Sequence, residues 1–217
     1  MIHAVVFDFD GVLADSEPLH LQSYQEVLAA LGVTLKRDEY YARYLGFTDD
    51  VVFRMMGDAY QWNLTSSQVE ALIEEKSSIF DALLAKNDVL YPGAADCVER
   101  LAREFPLGIA SGALRHEIVA ILDRYGLSRS FRFIVAAGDT LGSKPAPDPY
   151  RRAAALHGVP PEACLAIEDS HWGIESAKTA GLTCIGITNT YPASELDAAD
   201  HVISSLDEFT PHLIRRF

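Results

Sequence analysis

The chain has 217 residues, of which 49% are hydrophobic, enough apolar material for one sizeable core or for a core domain with a small second one. Thirty-one Asp and Glu against eighteen Lys and Arg give a formal net charge of −13, which disfavours nucleic acid and anionic membranes as partners. The same charge repels phosphorylated ligands, so an anion site here must bring local cations or a metal ion. No apolar run reaches transmembrane length, and Met1 leads directly into a strand-like run, which points to a cytoplasmic protein. The three cysteines, Cys97, Cys164 and Cys184, include no CxxC pair and read as buried, inert thiols of a reducing compartment.

In chain order, Ile2 to Phe9 is a nearly continuous apolar run ending in acids, the signature of a central parallel strand covered on both faces. Residues 16 to 84 then read as helices only. Ser16 is placed to cap a helix whose stripe is His20, Tyr24, Val27, Leu28 and Leu31, stopped by Gly32. Thr48 is placed to cap a second helix through Val51, Val52 and Met55. Thr65 and Gln68 form a capping box for a third, with Val69, Leu72, Ile73, Phe80, Leu83 and Leu84 inward.

From residue 88 onward strand and helix alternate. Strand-like runs are Leu107 to Ala110, Phe133 to Ala137, Cys164 to Ile167, Cys184 to Ile187 and His201 to Ile203. Between them fall a helix from Ala94 to Glu104, one after Gly112, and one with Asp148 as N-cap, Pro149 at its first position and Gly158 past its end. The alternation predicts an α/β fold, a doubly wound parallel sheet with a Rossmann-like core. The all-helical block is an inserted cap domain. The expected division is 1–15 with 88–217 for the α/β core and 16–87 for the cap.

The chemistry-bearing residues fall at strand ends, where open α/β sheets bind ligands. Asp8 and Asp10 are spaced so that one carboxylate attacks phosphorus while the other donates a proton and later activates water, with Gly11 turning the chain back. A solvated acidic strand end or a calcium loop has the same four-residue pattern. Ser111 and Gly112 follow the second strand and offer a hydroxyl and backbone N–H groups to phosphate oxygens, or else Ser111 is an ordinary N-cap. Lys144, in a proline-rich loop, is either a point charge for a phosphoryl group or a solvated lysine. Glu168 and Asp169, followed by Ser170, supply hard carboxylates for Mg²⁺ or form an acidic helix start.

Taken in order, Asp8-Phe9-Asp10-Gly11-Val12, Ser111, Lys144-Pro145 and Glu168-Asp169-Ser170 resemble the four motifs of haloacid dehalogenase-like hydrolases, and the inserted helices are similar to the β-phosphoglucomutase-like branch. The resemblance implies Asp8 as nucleophile, Asp10 as general acid/base, and Ser111 and Lys144 on the transferring phosphoryl group. It implies Mg²⁺ on Asp8, the Asp10 carbonyl and Asp169, with Glu168 nearby, and a cis bond before Pro145. The second aspartate argues against dehalogenation.

In the helical block, Lys76 lies on the apolar stripe of its helix. It either snorkels to solvent or, as the resemblance implies, reaches between cap and core to grip substrate, with His20 beside it as a proton relay or a packed helix-end residue. Where the mutases of this branch place an arginine after Gly46, this chain has Phe47-Thr48-Asp49-Asp50. Asp49 is expected to repel a second phosphate, and Arg115 is the residue that could compensate. The expected activity is a monomeric, Mg²⁺-dependent phosphatase for a small phosphorylated metabolite such as a sugar phosphate. A hexose-phosphate mutase and a non-catalytic sensor of phosphorylated metabolites are the alternatives.

Overall fold

The computed structural model describes every residue except Gly46. The chain divides into two compact units, Met1–Asp15 with Val89–Phe217, and Ser16–Asp88, so that Asp88 groups with the helices. Six parallel strands form the sheet of the first unit: β1 (Ala4–Phe7), β2 (Leu107–Ala110), β3 (Phe131–Val135), β4 (Cys164–Glu168), β5 (Thr183–Ile187) and β6 (His201–Ile203). Their order is β3-β2-β1-β4-β5-β6. The chain thus leaves β1 to one side, builds β2 and β3, and returns to add β4 on the other. The crevice at this reversal, between the ends of β1 and β4, is where such sheets bind ligands.

Alternation along β1 explains its unbroken apolar run. Ala4 and Val6 pack with Tyr150, Ala153, Ile174 and Ala177 on one face, while the Phe7 ring meets Phe131 and Phe209 edge-on at 6.0 and 5.7 Å on the other. With both faces covered, no position is left for a polar side chain. The strand is shorter than the run that announces it, because Asp8 and Phe9 already belong to the loop. The third strand starts two residues earlier than its apolar run, at Phe131, and ends at Val135.

The helices, numbered along the whole chain, are α1 (Glu17–Ala30), α2 (Arg37–Arg43), α3 (Asp49–Tyr60) and α4 (Ser66–Leu84) in the second unit. In the first unit they are α5 (Ala94–Ala102), α6 (Arg115–Arg124), α7 (Asp148–His157), α8 (His171–Ala180) and α9 (Pro211–Ile214). The Thr65–Gln68 capping box is present. Asp148 is not the N-cap of α7: that place falls to Pro147, and Asp148 is the first helical residue. Ser16 and Thr48 stand at N-cap positions but make no side-chain capping bond. The Thr48 hydroxyl instead donates to Asp50 at 2.6 Å. Leu31 is exposed past the end of α1, not part of its buried stripe. Helix α2 has no counterpart in the sequence reading because it buries one side chain, Tyr40, and so carries no apolar stripe. Tyr24, Tyr40, Phe53, Met56 and Val69 lie in the core of the helical unit. No described helix is long and apolar enough to cross a membrane.

Candidate active site

Three strand ends and one loop meet at the crevice. Asp8 directly follows β1, Ser111 directly follows β2, Glu168 closes β4 with Asp169 next to it, and Lys144 sits in the loop between β3 and α7. Parallel pairing of β1 with β4, Phe7 against Ile167, brings Asp8 level with Glu168, with Asp169 one residue further along. The Lys144 ammonium reaches Oδ1 of Asp8 at 2.7 Å and Oε1 of Glu168 at 2.6 Å. The Lys144–Pro145 bond is cis.

Gly11 is required by geometry. Its φ of +79° lies in the left-handed region, and a Cβ there would stand 1.9 Å from Oδ2 of Asp169. The turn it makes is closed by its own N–H to the Ala14 carbonyl at 2.8 Å, and its carbonyl accepts from Nδ2 of Asn189 at 2.8 Å. Asn189 and Thr190, in the loop after β5, therefore belong to the site's frame. No motif marks them in the sequence beyond their place past a strand end.

Ser111 is buried and is not an N-cap: α6 begins four residues later, at Arg115. Its Oγ instead accepts from the Ala113 N–H at 3.0 Å, folding the Ser111–Gly112–Ala113 turn at the end of β2. Asp10 is half-buried, one step into the Gly11 turn.

The electrostatics are those of carboxylates short of positive charge. Burial, then the nearby Glu168 carboxylate, raise Asp8 to about 7 against the pull of Lys144. Asp169 is likewise pushed well above the carboxylate range by burial, Glu168 and Asp8. Burial pulls the Lys144 ammonium down, but Asp8 and Glu168 outweigh it and hold its pKa above the ordinary lysine value. One carboxylate oxygen each from Asp8, Glu168 and Asp169 lie within 4.8 Å of one another, a concentration of negative charge that attracts a hard cation. A divalent ion fits here on chemical grounds, because it supplies the charge that one lysine cannot.

Three other expected site residues, Arg115, Lys76 and His20, have contacts of their own. The Arg115 guanidinium pairs with Asp139 at 2.5 Å and donates to the Ile134 carbonyl at 2.8 Å, which ties α6 to β3. Within the helical unit, Lys76 is wholly buried and does not snorkel. Its Nζ lies 2.8 Å from Nδ1 of His20 and 3.0 Å from Oδ1 of Asp49, and the same Asp49 oxygen accepts from the Tyr24 hydroxyl at 2.5 Å. His20 stacks on Phe80 at 4.2 Å, and burial together with Lys76 lowers its pKa well below the usual value. The charge of Asp49, expected to face a second phosphate, is thus balanced inside the helical unit. Gly46, which precedes that segment, lies outside the described residues.

Residues 5–187 match the family model of haloacid dehalogenase-like hydrolases. The chain belongs to this family. It is 35% identical to hexitol phosphatase B of Escherichia coli K12, over 96% of this chain and 95% of that one. The crystal structure of CbbY from Rhodobacter sphaeroides in complex with xylulose-1,5-bisphosphate is 29% identical, with a TM-score of 0.83 over 96% of each chain. β-Phosphoglucomutase of Clostridium difficile superposes with a TM-score of 0.86 over 100% of this chain and 96% of that one, and at 21% identity that likeness is one of fold.

Proposed function

We propose that this haloacid dehalogenase-like hydrolase is a Mg²⁺-dependent phosphatase that cleaves the phosphate monoester of a small sugar or polyol through an aspartyl-phosphate on Asp8. The observation that carries the reading is the position of Asp8. Its carboxylate stands at the carboxyl end of β1, 2.7 Å from Lys144 and within a 4.8 Å cluster with Glu168 and Asp169. The relative named hexitol phosphatase B, and the CbbY structure in complex with xylulose-1,5-bisphosphate, support the substrate class.

In the proposed reaction an Asp8 oxygen attacks phosphorus in line with the ester oxygen, whose bond breaks as Asp10 gives it a proton. Lys144 and the N–H groups after Ser111 face the equatorial oxygens, where negative charge accumulates. Water then attacks the aspartyl-phosphate, Asp10 takes its proton, and inorganic phosphate leaves with Asp8 restored. A bound Mg²⁺, held by Asp8 and Asp169 with the Asp10 carbonyl, would neutralise charge on the phosphoryl oxygens and on the crowded carboxylates. We place the reaction in the cytoplasm and on a monomer; the three buried free thiols support a reducing compartment.

Phosphate release from a panel of sugar and polyol monophosphates tests the reading. Release from at least one of them, abolished in Asp8→Asn, is the expected result. Transfer of phosphate between two positions of a hexose, without net release, would overturn it in favour of a mutase.

A further inference from the structure

Glu168 is fully buried, and both of its oxygens are occupied. Oε1 accepts from the Lys144 ammonium at 2.6 Å and from the Tyr150 hydroxyl at 2.8 Å. Oε2 accepts from the Asp169 N–H at 3.2 Å, the Ser170 hydroxyl at 3.2 Å and the Ser170 N–H at 3.4 Å. A carboxylate offers about four lone-pair sites, so these five donors exhaust it. The carboxylate also lies where a side chain at residue 173 would be: a Cβ on Gly173 would stand 1.8 Å from Oε1. Glu168 is therefore held from every side by its own protein.

Tyr150 acts on Lys144 directly through its ring and indirectly through Glu168. It projects from the first turn of α7, is completely buried, and carries the Lys144 ammonium 5.1 Å from its ring centroid. Its hydroxyl meets the same Glu168 oxygen that anchors that ammonium. The face of the ring attracts the cation, and the hydroxyl fixes the anion that holds it. Without the hydroxyl, Oε1 keeps only its bond to Lys144, and the point that aims Lys144 at Asp8 is less tightly fixed.

We propose that Tyr150 is a positioning residue that, with a fully occupied Glu168, locks Lys144 onto Asp8, and that Glu168 is an anchor for this lysine and not a ligand of the metal ion. The proposal rests on the phosphatase reading for its kinetic arm only. Removing the Tyr150 hydroxyl loosens one charge-assisted hydrogen bond while leaving ring, volume and metal carboxylates in place.

Two variants test it. Tyr150→Phe should lower kcat about tenfold, with KM and Mn²⁺ affinity, measured by electron paramagnetic resonance, within about twofold of the parent. Glu168→Gln should lose kcat more severely yet keep Mn²⁺ affinity within about threefold, since the ion sits on Asp8 and Asp169. A tenfold or greater loss of Mn²⁺ affinity in Glu168→Gln would make Glu168 a ligand and overturn that half of the proposal. An unchanged kcat in Tyr150→Phe, or a loss confined to KM, would overturn the other half. If the parent protein releases no phosphate from any ester, the phosphatase reading fails separately. A crystal structure of Tyr150→Phe then decides: Lys144 displaced from Asp8 supports the positioning role, and an unmoved 2.7 Å contact refutes it.

Discussion

The Lys76 ammonium stands 3.0 Å from the Asp49 carboxylate, joining the start of α3 to the middle of α4. The lysine has no exposed surface, and Tyr24, Phe80 and His20 lie beside it. A lysine on the apolar stripe of α4 is tolerated there because its charge is paired on the spot.

This pairing changes what Lys76→Met should do. Leaving Asp49 without its partner is expected to cost about 2–4 kcal/mol, because the remaining charge is only slightly exposed. That corresponds to a fall in Tm of roughly 5–15 °C in calorimetry. The Lys76→Met/Asp49→Asn double variant should recover part of the loss, and strict additivity of the two single variants would deny the coupling. Turnover of a sugar phosphate and of p-nitrophenyl phosphate should fall by similar factors. A loss restricted to the sugar phosphate would instead assign Lys76 to substrate recognition.

Asp8→Asn should abolish turnover while leaving the fold intact. Burial and Glu168 push the Asp8 carboxyl up to about 7, so removing its charge relieves repulsion at the β1–β4 crevice. In metal-free buffer the variant should melt no lower than the parent. The parent, quenched in acid during turnover, should carry an acyl-phosphate that hydroxylamine cleaves. Residual turnover in Asp8→Asn above about one part in a thousand would refute covalent catalysis.

Activity should vanish in EDTA and return with Mg²⁺, and Mg²⁺ should raise the Tm of the parent. Gly11→Ala should lose both effects. Its Cβ would overlap Oδ2 of Asp169 at 1.9 Å, and its φ of +79° strains any side chain. A Gly11→Ala protein with the parent's Mg²⁺-induced Tm shift would show that the Asp169 carboxylate does not hold the ion.

His157, at the end of α7, gives the core a pH dependence. Its ring is buried against Phe133, and burial lowers its pKa below 6.5 against a smaller opposing pull from the Val5 backbone. Below the unfolded pKa of about 6.5 the unfolded chain takes up a proton that the native ring refuses. Stability from the neutral ring is therefore complete above that pH and declines on acidification toward the folded pKa. The slope is at most ~1.4 kcal/mol per pH unit. Thermal melts at pH 7.5, 6.5 and 5.5 should show this decline, and His157→Leu should flatten it. An equally steep decline in His157→Leu would place the linkage elsewhere.

Elements with a periodic apolar signal were legible in the sequence. The β1 run, the alternation after residue 88 and the Thr65–Gln68 box follow from local physics: side chains facing a core repeat at the period of their backbone, and a cap needs its partner three residues on. The site was legible to the same degree, because Asp8, Ser111, Lys144, Glu168 and Asp169 all stand at strand ends or in the loops that leave them. What the sequence left open was what each charged side chain reaches. Lys76 offered solvent or substrate, and the structure buries it against Asp49 and His20. For Arg115, the neighbours Asp139 and the Ile134 carbonyl could not be read from the chain. Tyr150, 18 residues before Glu168 in the chain, is invisible as a site residue because nothing local requires its hydroxyl. Sequence alone thus determined the class of fold and the stations of the chemistry, since both repeat or recur at fixed local spacings. Only the tertiary structure decided which charges pair, since partners tens of residues apart are chosen by the order of strands in the sheet and by the desolvation that burial imposes on every unpaired ion.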